Sequence, residues 1–159
     1  MTQEQAFDAA AALRLPVNPN AAMIEMMGII DGFRNLMLKE TEALESADAG
    51  RFLELQDEKI VQAKAYQVGI DQLLTRKDEL RAADPALRQR LEQMQEGFHA
   101  VTQRNLKGLE RMKQGTNRLH EKIMRAARDT ALSETRFSYG AAGRLNEGGK
   151  VSIGLSEQA

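Results

Sequence analysis

The sequence predicts an all-α protein: a long antiparallel helical hairpin with a third helix along it, coiled-coil-like in its spacing, and a flexible C-terminal tail. Three observations lead there. Apolar residues recur at alternating steps of three and four through most of the chain, which places them on one face of a helix. Aromatic residues make up 4% of the chain and Trp is absent, so the aromatic supply that a sheet sandwich draws on is missing. Pro16, Pro19 and Pro85 stand at the edges of the periodic stretches rather than inside them. At 159 residues, 42% of them apolar, the chain can bury one modest core.

In order, residues 1–15 can form two or three helical turns with Phe7, Ala10 and Ala11 on one face, Leu15 being a further candidate. Pro16 and Pro19 end that segment, because each disfavours helix in the residue before it. The first long helix is expected from Ala21 to Ala47, started by Asn18 or Asn20 and burying Ile24, Met27, Ile30, Leu36 or Met37, and Leu44. Its run of Met23, Met26, Met27 and Met37 reads as gap-filling core or as an adaptable partner surface. Asp48 is a reasonable cap for a second helix, Ala49 to Ala83. Phe52, Lys59, Tyr66, Leu73 and Leu80 fall there at sevenfold spacing. Lys59 breaks this stripe, and its stem is expected to snorkel outward. Gly69 marks a bend or a close approach of helices.

The third helix is expected from Pro85 to Ala131, about 70 Å long at 1.5 Å per residue. Asp84 caps it and Pro85 takes the first helical position, where a missing N–H costs nothing. Leu87, Leu91, Met94, Phe98 and Val101 give a regular stripe, and Leu109, Met112, Thr116, Leu119, Ile123, Ala126 and Thr130 resume it. Between Val101 and Leu109 the stripe is expected to slip, with Asn105 at the change, as in a stutter. Beyond Ser133 the chain holds five of its twelve glycines, a composition that cannot order itself alone. The expected organisation is therefore an N-terminal extension and linker over 1–20, a helical bundle over 21–132 and a flexible tail over 133–159. Val151 to Leu155 in that tail suits a segment that orders against a partner.

Composition narrows the function. The absence of cysteine excludes disulfides, thiolate metal sites and a cysteine nucleophile. His99 and His120 lie too far apart on one helix to share a metal, and neither sits in a ligand motif. Glu40, Glu42, Glu45, Asp57 and Glu58 stand beside Lys39 and Lys59 and read as a solvated face. No phosphate loop, dinucleotide fingerprint or nucleophile elbow is present. No enzyme, metal or cofactor is expected. The Ala-rich N-terminus lacks the basic start of a signal peptide, and no window approaches the ~20 apolar residues of a membrane span. A cytoplasmic protein without membrane insertion is expected. Residues 31–60 carry four basic and eight acidic side chains, whereas residues 101–130 carry eight basic and three acidic. Pairing across the bundle accounts for this, as does a docking face for an acidic partner. Nucleic acid is not expected, since no aromatics interleave the basic residues.

The run LMLKETEALESADAGRFLELQDEKI from Leu36, the later Asn117-Arg118-Leu119-His120 through Ile123, and the tail Tyr139-Gly140-Ala141-Ala142-Gly143-Arg144 resemble the FlgN-like flagellar export chaperones over roughly residues 24–150. The resemblance implies a cytoplasmic chaperone that shields the amphipathic terminal helices of hook–filament junction (hook-associated) proteins before type III export. It places substrate binding in the C-terminal region, which singles out Leu119, Ile123, Met124 and Leu132. It also makes Tyr139 a candidate for docking at the export gate. Leu109 and Met112 complete the candidate partner-binding set, through helix-in-groove recognition. Leu109, Met112, Leu119 and Ile123 have a plainer reading as bundle core, and Tyr139 as an incidental tail aromatic. The alternative is a non-enzymatic coiled-coil adaptor or regulatory protein unrelated to secretion, for which a homo-oligomer is expected.

Overall fold

A computed structural model describes residues 2–140, with side chains described through residue 133. Six helices follow in order: α1 Gln3–Ala11, α2 Pro19–Glu45, α3 Ala49–Glu54, α4 Gln56–Thr75, α5 Lys77–Leu80 and α6 Pro85–Gly140. The fold is all-α, with no strand among the described residues. The chain divides into two units, Met1–Gln114 and Gly115–Ala159.

Local chemistry sets the helix ends of the first unit. Thr2 and Gln5 form a reciprocal capping box at α1, each side chain accepting from the other's backbone N–H. Asn18 caps α2 by accepting from the Ala21 N–H at 3.0 Å, with Pro19 in the first turn. At the other end of α2 the Asp48 N–H returns to the Ala43 carbonyl and the Ala47 N–H to that of Leu44. This pairing is a Schellman stop, and it requires a left-handed residue, which here is Ala47 at φ 55°. Asp48 then caps α3 through the Arg51 N–H. Asp84 accepts from the Ala86 N–H at 2.8 Å and donates its own N–H to Asn20, tying the start of α6 to the start of α2.

Contacts fix the helix directions. Glu40 meets Lys59, Phe33 meets Tyr66 and Met26 meets Gly69, so α2 and α4 are antiparallel. Phe33 meets Phe98, Glu40 meets Asn105 and Leu44 meets Gly108, so α6 runs parallel to α2. A further helix lies on this arrangement. Gln3 bonds Asp57, Lys64 sits over the Phe7 ring and Leu15 bonds Gln72, so α1 runs parallel to α4. The link after α1 is held as firmly. Gln72 accepts from the Leu15 N–H and donates to the Leu13 carbonyl, while Arg76 donates to the carbonyls of Pro16 and Val17.

This register stacks the core of α2, α4 and α6 in layers one heptad apart. Met26, Leu73 and Leu91 are buried. Seven residues along, Phe33, Tyr66 and Phe98 form an aromatic layer with ring centroids 5.0–5.9 Å apart. Seven further, the positions are Glu40, Lys59 and Asn105. The helices approach closely at Gly69, where a Cβ would lie 2.6 Å from the Met26 sulfur, and at Gly108, where it would lie 3.1 Å from Leu44 Cδ1.

Four expectations need correction. The second helix is not continuous from 49 to 83. It breaks at Leu55, where the Gln56 side chain turns back to the Phe52 carbonyl, and at Arg76, whose side chain is drawn to the loop after α1. The third helix continues past Ala131 to Gly140, so residues 133–140 of the expected tail are helical. The stripe on α6 does not slip at Asn105: Leu91, Phe98, Asn105 and Gly108 are all buried, at regular steps of seven and three. Ile24, expected in the buried face of α2, is 56% exposed because its neighbours Met23, Met26 and Met27 take the core positions. The expected flexibility of the tail beyond Gly140, including Val151 to Leu155, lies outside the described residues.

Candidate functional site

Two features stand out above the bundle's apolar packing. The first is the polar layer. Glu40 is fully buried, and Asn105 retains 1% exposure. Lys59 Nζ donates to both Glu40 carboxylate oxygens at 2.9 and 2.8 Å. Gln56 Nε2 donates to one of them at 2.8 Å and Asn105 Nδ2 to the other at 2.7 Å. Asn105 also donates to the hydroxyl of Thr41, which donates to the Met37 carbonyl. Burial, the largest single influence, pushes the Glu40 carboxyl up. The hydrogen bonds from Gln56, Lys59 and Asn105, with the Lys59 charge, together outweigh it and hold the group below its ordinary value.

Glu40 and Lys59 therefore do not belong to a solvated face. Lys59 turns inward because a buried carboxylate needs a cation more than the bundle needs an unbroken stripe. No buried side-chain polar atom among the described residues lacks a partner. Oxygens so fully engaged have little left to offer a substrate proton, and the arrangement suits a tie between three helices. The signal was present in sequence. Glu40, Lys59 and Asn105 each stand seven residues from a member of the aromatic layer, but charge masked two of them as surface.

The second feature lies in the unit that begins at Gly115. Every side chain from residue 115 to residue 133 is exposed. Leu119 is 58% exposed, Ile123 57% and Leu132 65%, large values for residues of this kind. At 100° per residue, Leu119, Ile123, Ala126 and Thr130 share one edge of the helix. Met124 stands about a third of a turn away and Leu132 almost opposite. Of the sequence-predicted partner residues, the structure thus groups Leu119 and Ile123 and leaves Met124 and Leu132 apart. Leu109 is half-buried and Met112 is exposed in the first unit. Tyr139 lies within α6, with its side chain outside the described residues.

A groove of about 550 Å³ also opens between α2 and α6, with Ile24, Met27, Leu87 and Met94 among its lining and Asp31 and Arg90 as its charged members. His99 and His120 are both exposed. Among the described residues no group of three or more His, Asp or Glu side chains could hold a metal ion, and no helix is long and apolar enough to cross a membrane. No family model, no curated protein and no solved structure matches the chain.

Proposed function

We propose that the chain is a cytoplasmic flagellar export chaperone that binds hook–filament junction proteins and shields their amphipathic terminal helices until export. The observation that carries this reading is the exposed apolar edge of Leu119, Ile123, Ala126 and Thr130 on a helix whose every described side chain from residue 115 onward meets solvent. Leaving large aliphatic side chains in water forgoes roughly 2 kcal/mol each. A helix that presents them in one row regains it when another amphipathic helix completes the seam. The resemblance of residues 36–60, 117–123 and 139–144 to the FlgN-like chaperones names the substrate class.

The test is a titration of the full chain with the terminal helices of a junction protein, read by calorimetry. A stoichiometric complex is expected, and Leu119→Ala with Ile123→Ala should weaken it more than tenfold while leaving helicity intact. Absence of a complex, or a complex indifferent to the double variant, overturns the reading. The same edge also serves a coiled-coil adaptor that pairs with its own copy. That alternative predicts melting that depends strongly on protein concentration.

A further inference from the structure

We infer that the edge of Leu119, Ile123 and Ala126 receives an amphipathic helix whose flank is acidic, and that a basic row on one side of the edge sets how that helix lies. The inference rests on the helix-binding role proposed above. The charge pattern carries it. Arg118, Lys122 and Arg125 stand four and three residues apart, the spacing of a single row on a helix. Counted at 100° per residue, that row runs along one side of the apolar edge. The other side presents His120 and Ala127 instead, with no Lys or Arg among them. All three basic side chains are exposed.

The asymmetry has a consequence for recognition. An apolar edge alone accepts an amphipathic helix in either direction and in several registers. Cations on one side only favour the placement that brings carboxylates against them and disfavour the reverse. Asp129 ends the row in the opposite sign, so a partner that slides one further turn toward residue 130 meets repulsion. A membrane surface fits less well, because interfacial helices rely on aromatic anchors and residues 115–133 contain no aromatic residue. The same lack removes the stacking platform of a single-stranded nucleic-acid site.

The experiment uses the full chain and three synthetic helical peptides sharing one leucine stripe, with flanks of Glu, Gln or Lys. Binding is followed by fluorescence anisotropy at low and physiological salt. The Glu-flanked peptide should bind on the order of tenfold tighter than the Gln-flanked one, the Lys-flanked peptide weakest, with the differences shrinking as salt rises. Arg118→Glu, Lys122→Glu and Arg125→Glu combined should reverse that order without changing the circular dichroism spectrum. Equal affinities, no binding of any peptide, or an order untouched by the charge reversal overturns the inference. Capture of the chain by vesicles of mixed phosphatidylserine and phosphatidylcholine that the triple variant abolishes overturns it as well. The proposed chaperone role is judged separately, by whether junction-protein helices bind the wild-type chain at all. If they bind and the triple variant binds them equally, the inference fails while the chaperone reading stands.

Discussion

Replacing Lys59 with Met keeps the aliphatic stem and removes the cation from the Glu40 carboxylate. Both carboxylate oxygens lose a bond of 2.8–2.9 Å, and the carboxylate they belong to is fully buried. Breaking a buried pair from one side costs roughly 3–5 kcal/mol, because it strands the remaining charge. The Lys59 side chain is 23% exposed, so water can reach part of the vacated space and the lower end of that range applies, about 3 kcal/mol. Against a typical total of about 5–15 kcal/mol this is a large fraction.

The pH dependence sharpens the test. In the wild type Glu40 is held below its ordinary 4.5, so its contribution is fully present above that value and is lost as pH falls through the folded one. In Lys59→Met the burial is opposed only by the Gln56 and Asn105 bonds, and the carboxyl should rise above its ordinary value. Its contribution is then present at acid pH and lost as pH climbs. The stability gap between the two proteins should widen from pH 4 to pH 7, measured by urea unfolding at half-unit steps. A gap under about 1 kcal/mol, or one that does not vary with pH, would refute the reasoning. Glu40→Leu combined with Lys59→Met removes both charges and should recover most of the loss, since an apolar pair of similar volume stands in for a buried ion pair at little cost.

Ala47 holds a left-handed φ of 55° in the Schellman stop of α2. Ala47→Gly should therefore stabilise by up to about 1 kcal/mol, the relief at Cβ exceeding the added freedom of the unfolded chain, and a lower melting temperature would count against it. The glycines should divide by environment. Gly97 has open space around a Cβ, so Gly97→Ala should gain about 1 kcal/mol of helix propensity, whereas Gly69→Ala must displace the fully buried Met26 and should lose stability on thermal unfolding. Gln72→Ala leaves the Leu15 N–H and Leu13 carbonyl without their partner, so amides of α1 should exchange faster with solvent while those of α2 keep their protection.

Helix existence was legible wherever residues recurred in a stripe and a cap stood at its start, as at Asn18, Asp48 and Asp84. Boundaries were less so, because the breaks at Leu55 and Arg76 go with side-chain bonds from Gln56 to the preceding turn and from Arg76 to residues distant in sequence, which periodicity does not carry. The sevenfold row of Phe52, Lys59, Tyr66, Leu73 and Leu80 was visible, yet the role of Lys59 in it was not. A lysine in a seam reads as an intruder until the carboxylate that calls it inward is placed on another helix. Asn105 was misread for the matching reason: a polar residue in an apolar stripe looks like a slip when only one helix is in view. Leu119 and Ile123 were singled out by spacing and by resemblance. Spacing alone does not separate an exposed edge from a core-facing one, since both bury nothing until a neighbour arrives.

The order of the layers explains how a methionine-rich core keeps one arrangement. Met23, Met26, Met27 and Met37 are all buried in α2, and methionine adapts readily to a changed neighbour. Sliding α6 by one heptad would bring Leu91 opposite Phe33 and Phe98 opposite Glu40. The first exchange is a repacking of apolar groups, which methionine-lined cores absorb at a cost of about 1–3 kcal/mol. The second is of another kind. It would set an apolar ring against the Glu40 carboxylate in place of the Asn105 amide, and a buried polar group left short of a partner costs about 1–3 kcal/mol. The polar layer thus penalises the slips that the apolar layers tolerate, the function served by a lone seam asparagine in coiled coils. It does so across three helices at once, because Glu40, Lys59 and Asn105 come one from each.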